Sequence, residues 1–412
     1  MRLFLLNIFL LVSSCLFAQY HNLDFYLERA RTNSPLLKDY QNQMLSNGMD
    51  SAILRASYKP QVNAVSTDFY APTINGYGYD NIITNGAQIS AIVQANKTIV
   101  SKNNLNTQYQ SIHLQNETIG NTAVIAQKDL KKTVTSQYIS VYGDMTAMNF
   151  NKEILALLQK EELILKKLTE NNVYKQSDYL TFYVSLQQQQ LISLQSEIQF
   201  KNDYAMLNYL CGIVDTSAAT LIDPDLQMAS LPDIYSSVFY HQYTIDSLKF
   251  INQKSVIDYS YKPKLNVFAD AGYISSLSYQ PYKNFGASLG LALSLPIYDG
   301  RQKQLKYNKV NIAENTRTVY RDFFLHQYDQ QVAQLIQQFR ATESMLSEIN
   351  DQIKYSNALI EVNGRLLETG NVRITDFILA INTYLNARHL LNQNYISRLQ
   401  IINQINYWQQ AI

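Results

Sequence analysis

The side chains able to do acid–base, nucleophilic or metal chemistry are scattered along this 412-residue chain. The five histidines, at 21, 113, 241, 326 and 389, lie far apart, with no cysteine or carboxylate at ligand spacing, so no metal site is expected. No phosphate-binding glycine loop occurs, so no nucleotide or other cofactor is expected, and any energy for work must come from a partner. Glu161-Glu162, and Asp322 with Asp329, fall in helical stretches and read as solvated carboxylates rather than acid–base pairs. Two short stretches stand out: Lys175-Gln176-Ser177-Asp178 and Arg373-Ile374-Thr375-Asp376. Each puts an aspartate just after a hydroxyl residue at a helix start, where a short side-chain oxygen can satisfy orphan backbone amides. A structural role is one reading of Asp178 and Asp376, and a charged site formed with the nearby basic residues is the other.

The elements that must carry these residues are foreshadowed by composition. Lys and Arg number 34 against 33 Asp and Glu, a net charge of +1, which leaves no basic footprint for nucleic acid. The 37 Asn and 37 Gln outnumber all charged side chains, and Tyr occurs 31 times against a single Trp. The eight prolines leave 73–223 and 297–412 without any. Proline breaks helix interiors, so these stretches predict long helices. From Leu105 to Leu168 and from Arg301 to Leu367, apolar residues keep three-and-four spacing, with Leu305, Ile312, Val319 and Phe323 on one stripe. Helices of that extent would reach roughly 100 Å at 1.5 Å per residue. The amide clusters Gln187–Gln190 and Gln330, Gln331, Gln334, Gln337 and Gln338 read as solvated helix faces.

Arg2 followed by the apolar run Leu3–Val12 reads as a secretory signal peptide, with cleavage after Ala18 giving a leader of 1–18. Val12-Ser13-Ser14-Cys15 also resembles a lipobox, in which Cys15 would be lipidated, and both routes stay open. After a plain cut only Cys211 remains, so no intramolecular disulfide is expected.

The chain repeats itself. Tyr58-Lys59-Pro60-Gln61-Val62-Asn63 recurs as Tyr261-Lys262-Pro263-Lys264-Leu265-Asn266, and Gly86-Ala87-Gln88-Ile89 recurs as Gly286-Ala287-Ser288-Leu289. Asp178-Tyr179-Leu180 returns as Asp376-Phe377-Ile378, and Asn208-Tyr209 as Asn406-Tyr407. Two structural repeats are therefore expected, 19–214 and 233–412, joined by a linker at 215–232. Each holds a leading helix (about 22–57 and 233–260), a β-hairpin (about 60–96 and 263–296) and a long helical hairpin (about 100–212 and 300–410).

The hairpin strands alternate strictly. Leu289, Leu291, Leu293 and Leu295 oppose Ser288, Gly290, Ala292 and Ser294; Leu265 and Val267 oppose Asn266 and Phe268; Ile89 and Val93 oppose Gln88 and Gln94. Each run is about 9–10 residues, the length of a tilted strand across a bilayer. Alternation alone also fits a half-buried strand pair in a water-soluble core. An exported, helix-dominated chain with four such strands cannot close a barrel alone, and lipid tolerates no open edges. Small barrels begin at eight strands, so three chains giving twelve is the natural completion, with Leu289, Leu291, Leu293, Leu295, Leu265, Val267, Ile89 and Val93 facing lipid.

Taken with this duplicated layout, three motifs make the chain resemble the TolC-type outer-membrane efflux family over essentially its whole mature length. Leu293-Ser294-Leu295-Pro296-Ile297-Tyr298-Asp299-Gly300 resembles the family's second-half strand-to-helix segment. Gly370-Asn371-Val372-Arg373-Ile374-Thr375-Asp376-Phe377-Ile378 resembles its helix-to-helix turn at the periplasmic tip, and Asn33-Ser34-Pro35 an element of its leading helix. The resemblance implies a mainly α protein with a β-barrel portion: a homotrimer forming a 12-stranded transmembrane β-barrel continuous with a periplasmic α-helical coiled-coil tunnel. It implies the passive duct of a tripartite efflux or type I secretion system, docked by a periplasmic adaptor (membrane-fusion) protein and an inner-membrane RND or ABC transporter. Asp376 and Arg373, with Asp178 and Lys175 in the first half, would then line or latch the closed tunnel end.

The sequence departs from the family pattern in places. Asn96-Lys97-Thr98 stands where the second half has Pro296-Ile297-Tyr298, the first tip (Asn171–Asp178) lacks the glycine found at Gly370, and Leu379-Ala380 stands where a second acidic residue often follows. A periplasmic coiled-coil adaptor or scaffold is the alternative expectation, since it too would be exported and rich in helix. Adaptors usually pair one helical hairpin with compact β-domains, whereas two equivalent hairpins occur here.

Overall fold

The computed structural model describes residues 22–79, 87–215, 219–230, 233–277 and 280–408. The leader, with Cys15 and the Ala18 cut, lies outside the described residues. The elements in chain order are α1 (Leu23–Asn33), α2 (Pro35–Ser57), β1 (Gln61–Tyr70), β2 (Ala87–Ile99), α3 (Lys102–Glu170), α4 (Gln176–Leu210), α5 (Val238–Ser260), β3 (Lys264–Ser275), β4 (Phe285–Ser294), α6 (Gln302–Glu368) and α7 (Ile374–Tyr407). Short 3-10 turns at Ile234–Ser236 and Pro281–Lys283 complete the order. The proline-free stretches hold α3 and α6, of 69 and 67 residues.

The leading segment expected as one helix over 22–57 is two. Asn22 caps α1, its Oδ1 accepting from Phe25 N–H at 3.0 Å. Ser34 then turns extended, and its Oγ accepts from Leu37 N–H at 3.3 Å, while Pro35 takes the first helical position of α2. Proline is tolerated there because that amide has no intrahelical partner anyway, but it disfavours helical backbone at the residue before it. Asn33, next to this break, donates its side-chain amide to Cys211 O at 2.9 Å, beyond the end of α4.

The four strands form one antiparallel sheet in the order β1-β2-β3-β4. The two hairpins join through β2 and β3, whose register pairs Ile92 with Gly272 and Gln94 with Asp270. A Cβ at Gly272 would stand 2.2 Å from Ala91 O, so only glycine fits this close approach. Among the described residues β1 and β4 each keep an unpaired edge. β2 runs 13 residues to Ile99, whereas β4 stops at Ser294 before Leu295-Pro296. Proline has no N–H for the ladder, which makes the second strand exit sharper and leaves Leu295 just outside the strand.

The described residues divide into two compact units, drawn from Met1–Lys38 with Ala123–Phe239 and Phe324–Ile412, and from Asp39–Thr122 with Tyr240–Phe323. The second holds the sheet and the helical segments next to it. There Asn47 of α2 is buried and donates to Ile112 O of α3 at 3.0 Å, and Asn121 donates to Gln242 at 3.2 Å.

The first unit is helical and carries two cores. One gathers Tyr26, Tyr138, Val141, Phe200, Tyr204 and Leu207 around α1, α3 and α4. The other lies at the hairpin turns, where Leu165, Tyr174, Phe182, Leu367, Phe377 and Ile381 interlock and the Phe182 and Phe377 rings stack at 6.3 Å. The described part of the linker is strapped to this unit by matching asparagines. Asn208 donates to Asp215 O at 2.7 Å; Asn406 donates to Gln227 O at 2.9 Å and accepts from Ala229 N–H at 3.1 Å. Tyr138 adds a hydroxyl bond to Ile222 O at 2.6 Å.

Candidate functional site

Directly paired residues in an antiparallel sheet share a face, so the register assigns every strand side chain to one side or the other. Leu293 pairs Leu265, which pairs Ile99; Leu291 pairs Val267; Leu289 pairs Ala269, which pairs Ala95 and, through it, Val62. Val93 and Ile89 fall on the same side through Ala271 and Ser275. All the strand residues expected to face lipid therefore share one face of the sheet. The β4 leucines are openly exposed there, Leu289 at 79% and Leu291 and Leu293 at 71%. The charged residues on this face, Asp68 and Lys97, lie towards the ends of their strands, and Ser66 and Ser275 are also on it.

The opposite face carries a row that runs unbroken through all four strands: Asn63, Gln94, Asp270 and Ser288. Within it Ser288 Oγ donates to Asp270 Oδ2 at 2.6 Å. The next row holds Gln61, Asn96, Phe268 and Gly290, where the Phe268 ring lies over the glycine; a Cβ there would stand 2.3 Å from the ring. Strand alternation marks each residue as belonging to this side, but the row itself depends on register, which no single strand encodes.

The four turn residues Lys175, Asp178, Arg373 and Asp376 occupy equivalent positions. Lys175 and Arg373 are the N-cap residues of α4 and α7, and each aspartate sits three residues later. Neither aspartate is itself the N-cap, contrary to the capping expectation. Asp178 instead reaches back, its Oδ2 accepting from Lys175 N–H at 3.2 Å, as the acidic half of a capping box does. Asp376 Oδ2 accepts from Arg373 Nε at 3.0 Å, an ion pair whose arginine side chain is 84% exposed. Both carboxylates sit at the positive end of a helix dipole, which favours their charge.

The turns themselves are matched. Asn172 and Gly370 both adopt left-handed backbone, and the residues after them, Val173 and Asn371, bond back to Leu168 O and Leu366 O at 2.9 Å each. These are Schellman caps, and asparagine is the residue most able to replace glycine there. The missing first-half glycine is thereby accounted for. Tyr174 ties the two turns together by donating to Val372 O at 2.9 Å.

Two carboxylate expectations need correction. Glu161 is buried rather than solvated, and burial raises its pKa. Its neighbour Glu162 accepts from Tyr179 Oη at 2.6 Å, a bond that pushes the phenol up to about 12. Within Gln187–Gln190, Gln189 is buried too, its amide directed at Asn151 of α3 at 3.3 Å. Asp322 and Asp329 are exposed, as are Gln330, Gln331, Gln334, Gln337 and Gln338 of α6.

One carboxyl pair escaped sequence reading. Asp144 of α3 and Asp203 of α4, 59 residues apart in sequence, share a hydrogen bond, and burial together with that bond pushes Asp144 up to about 7. Gln199 Nε2 donates to Asp203 Oδ2 at 2.8 Å, which holds that carboxylate in place. Among the described residues no group of three or more His, Cys, Asp or Glu could hold a metal ion. No described helix is long and apolar enough to cross a membrane, a statement about helices alone.

No protein-family model matches the chain, and no curated protein matches it in sequence. Solved structures do match in fold. CusC, described through its folding and transmembrane channel formation, aligns at TM-score 0.78 with 11% identity over 94% of this chain and 92% of its own. The outer membrane protein VceC of Vibrio cholerae aligns at 0.76 with 12% identity, over 94% and 96%. The MtrE outer membrane channel of Neisseria gonorrhoeae, in its open state, aligns at 0.74 with 11% identity, over 94% and 88%. At such identities the matches establish a shared fold. The TolC-type resemblance of the sequence thus extends to the chain's three-dimensional architecture.

Proposed function

We propose that this protein is an outer-membrane channel in which three copies complete a twelve-stranded barrel, continued into the periplasm by the long helices. The observation that carries the proposal is the four-stranded sheet, with an exposed leucine face, a polar row behind it and two unpaired edges. Unpaired edges and an open apolar face are costly in water and impossible in lipid until other strands close the sheet. Closure would direct Leu289, Leu291, Leu293, Leu265, Val267, Ile89 and Val93 to lipid, with Leu295 at the rim, and Asn63, Gln94, Asp270 and Ser288 to a wet lumen. The shared fold with outer-membrane channels supports the same assignment.

On this basis the two structural repeats, 19–214 and 233–412, supply one sixth of the duct each. The duct is passive and works in a tripartite efflux or type I secretion system with a periplasmic adaptor and an inner-membrane RND or ABC transporter. Asp376 with Arg373, and Asp178 with Lys175, line its periplasmic end. Purified protein added to a planar lipid bilayer is expected to give discrete single-channel currents. Absence of current, together with release from washed membranes by salt or carbonate, would identify a periplasmic scaffold instead.

A further inference from the structure

Charge along this chain is separated rather than absent. Antiparallel alternation puts the start of β1, the end of β2, the start of β3 and the end of β4 at one end of the sheet. The segments at that end, 55–61, 96–104, 258–264 and 295–309, carry ten cations and two carboxylates, in a protein whose net charge is +1. Arg55 and Lys59 precede β1, Lys97 and Lys102 mark the passage from β2 into α3, and Lys262 and Lys264 lead into β3. Four more, Arg301, Lys303, Lys306 and Lys309, follow β4. Both carboxylates are engaged locally. Asp258 pairs with Lys303 at 2.8 Å, and Asp299 accepts from the backbone amides of Arg301 and Lys303 at 2.9 and 2.7 Å. The other nine cations are exposed, and among the described residues none of them forms an ion pair. The hairpin end of the sheet differs: 71–86 and 276–284 hold Asp80 and Lys283 as their only charged residues.

Tyrosines stand among these cations. Lys262 Nζ lies 4.1 Å from the centre of the Tyr259 ring and Lys306 Nζ 5.2 Å from that of Tyr261, while Tyr298 is 86% exposed. Lys97 stands on the leucine face itself, one row inside its end, where a lysine stem can follow apolar surface and present its ammonium at the boundary. Lys309, seven residues past Gln302, lies about 10 Å along α6, about one Debye length from the helix start.

We propose that this end of the sheet is a docking collar for anionic phospholipid headgroups, in the leaflet that the collar meets. The inference rests on the membrane-spanning barrel proposed above, and adds which lipid it selects and at which end. Headgroup phosphates supply the negative charge that nine cations lack, tyrosine rings suit headgroup depth, and the adjoining leucine face takes the acyl chains. An acidic protein would match the charge but not the continuous apolar face.

Lipid retention tests this in the full-length protein. The protein is reconstituted in vesicles of equal phosphatidylcholine and phosphatidylglycerol, extracted in detergent, and its retained lipids are counted by native mass spectrometry. Phosphatidylglycerol should be retained about tenfold over phosphatidylcholine, and the preference should fall as salt rises. That salt series is read on the native protein and needs no variant. A lysine near an anionic surface is worth about a factor of five in binding. Lys262→Gln, Lys264→Gln, Lys306→Gln and Lys309→Gln together should therefore abolish the preference. Lys262→Arg, Lys264→Arg, Lys306→Arg and Lys309→Arg together should keep it, as should Lys283→Gln alone. Inserted protein with no lipid preference overturns the collar and leaves the barrel standing. Native protein released from the vesicles by carbonate sinks both. A preference lost with the arginine set as well would make these lysines structural, and one lost only with Lys283→Gln would move the lipid to the hairpin end; either result overturns the proposal.

Discussion

Asn172 and Gly370, 198 residues apart, hold the same left-handed backbone position, with φ of 62° and 74°, at the ends of α3 and α6. The equivalence is geometric, but the surroundings differ. A Cβ on Gly370 would stand 2.6 Å from Val173 Cγ1 of the other turn. Gly370→Ala is therefore expected to destabilise the turns by about 1–2 kcal/mol for the backbone, plus the cost of the collision. Val173→Ala in the same chain should recover only the collision. Asn172→Gly should be neutral or stabilising by up to ~1 kcal/mol. Thermal unfolding with limited proteolysis at the turns measures all three, and equal losses in the two glycine-position variants would refute the difference.

The Arg373–Asp376 pair is so exposed that it contributes at most about 1 kcal/mol to stability. Arg373→Ala and Asp376→Ala should leave the unfolding temperature nearly unchanged while raising conductance or altering cation preference in single-channel recordings. Unchanged currents in both variants would remove the pair from the channel end. Asp178 bonds to its own helix start, so Asp178→Ala should instead lower stability, by about 1 kcal/mol.

Asp144 gives stability a pH dependence of known sign. Its pKa in the fold is raised from the ordinary carboxyl value to about 7. The fold therefore binds this proton more tightly than the unfolded chain does, and the contribution is complete below the ordinary carboxyl range. It is lost as pH rises through about 7. Asp144→Asn, which keeps a hydrogen-bond donor for Asp203, should flatten stability between pH 4 and 8 and gain on the order of 2 kcal/mol at pH 8. A variant as pH-sensitive as the native protein would show that the shared proton is not the cause.

The two sheet faces should respond oppositely. Leu291→Arg places a charge on the apolar face and should cost ~2–4 kcal/mol near the bilayer midplane, reducing recovery in the membrane fraction. Asp270→Asn on the polar row should leave membrane recovery intact and weaken cation preference. If both variants insert equally well, the assignment of faces is wrong.

The sequence made the long helices, the hairpin strands and the equivalence of the two turns legible, because proline spacing, period-two alternation and internal repetition are all local signals. Side-chain partnership was less legible. Glu161 and Gln189 look like solvated polar residues until packing buries them, and nothing in Asp144 or Asp203 announces a partner on another helix. The division of the leading segment could have been read from Ser34-Pro35, since proline restricts the residue before it. The polar row of Asn63, Gln94, Asp270 and Ser288 could not, because it exists only once four strands adopt one register.

That register also bears on how such a chain can change in length over evolution. Deleting a single residue from β4 would turn Leu289, Leu291 and Leu293 towards the polar row and bring Ser288 and Gly290 to the outside. In α3 or α6 a loss or gain of seven residues would carry the apolar stripe forward in phase. Related genes should therefore vary freely at the hairpin ends, vary by whole heptads along the helices, and keep the residue count of each strand fixed.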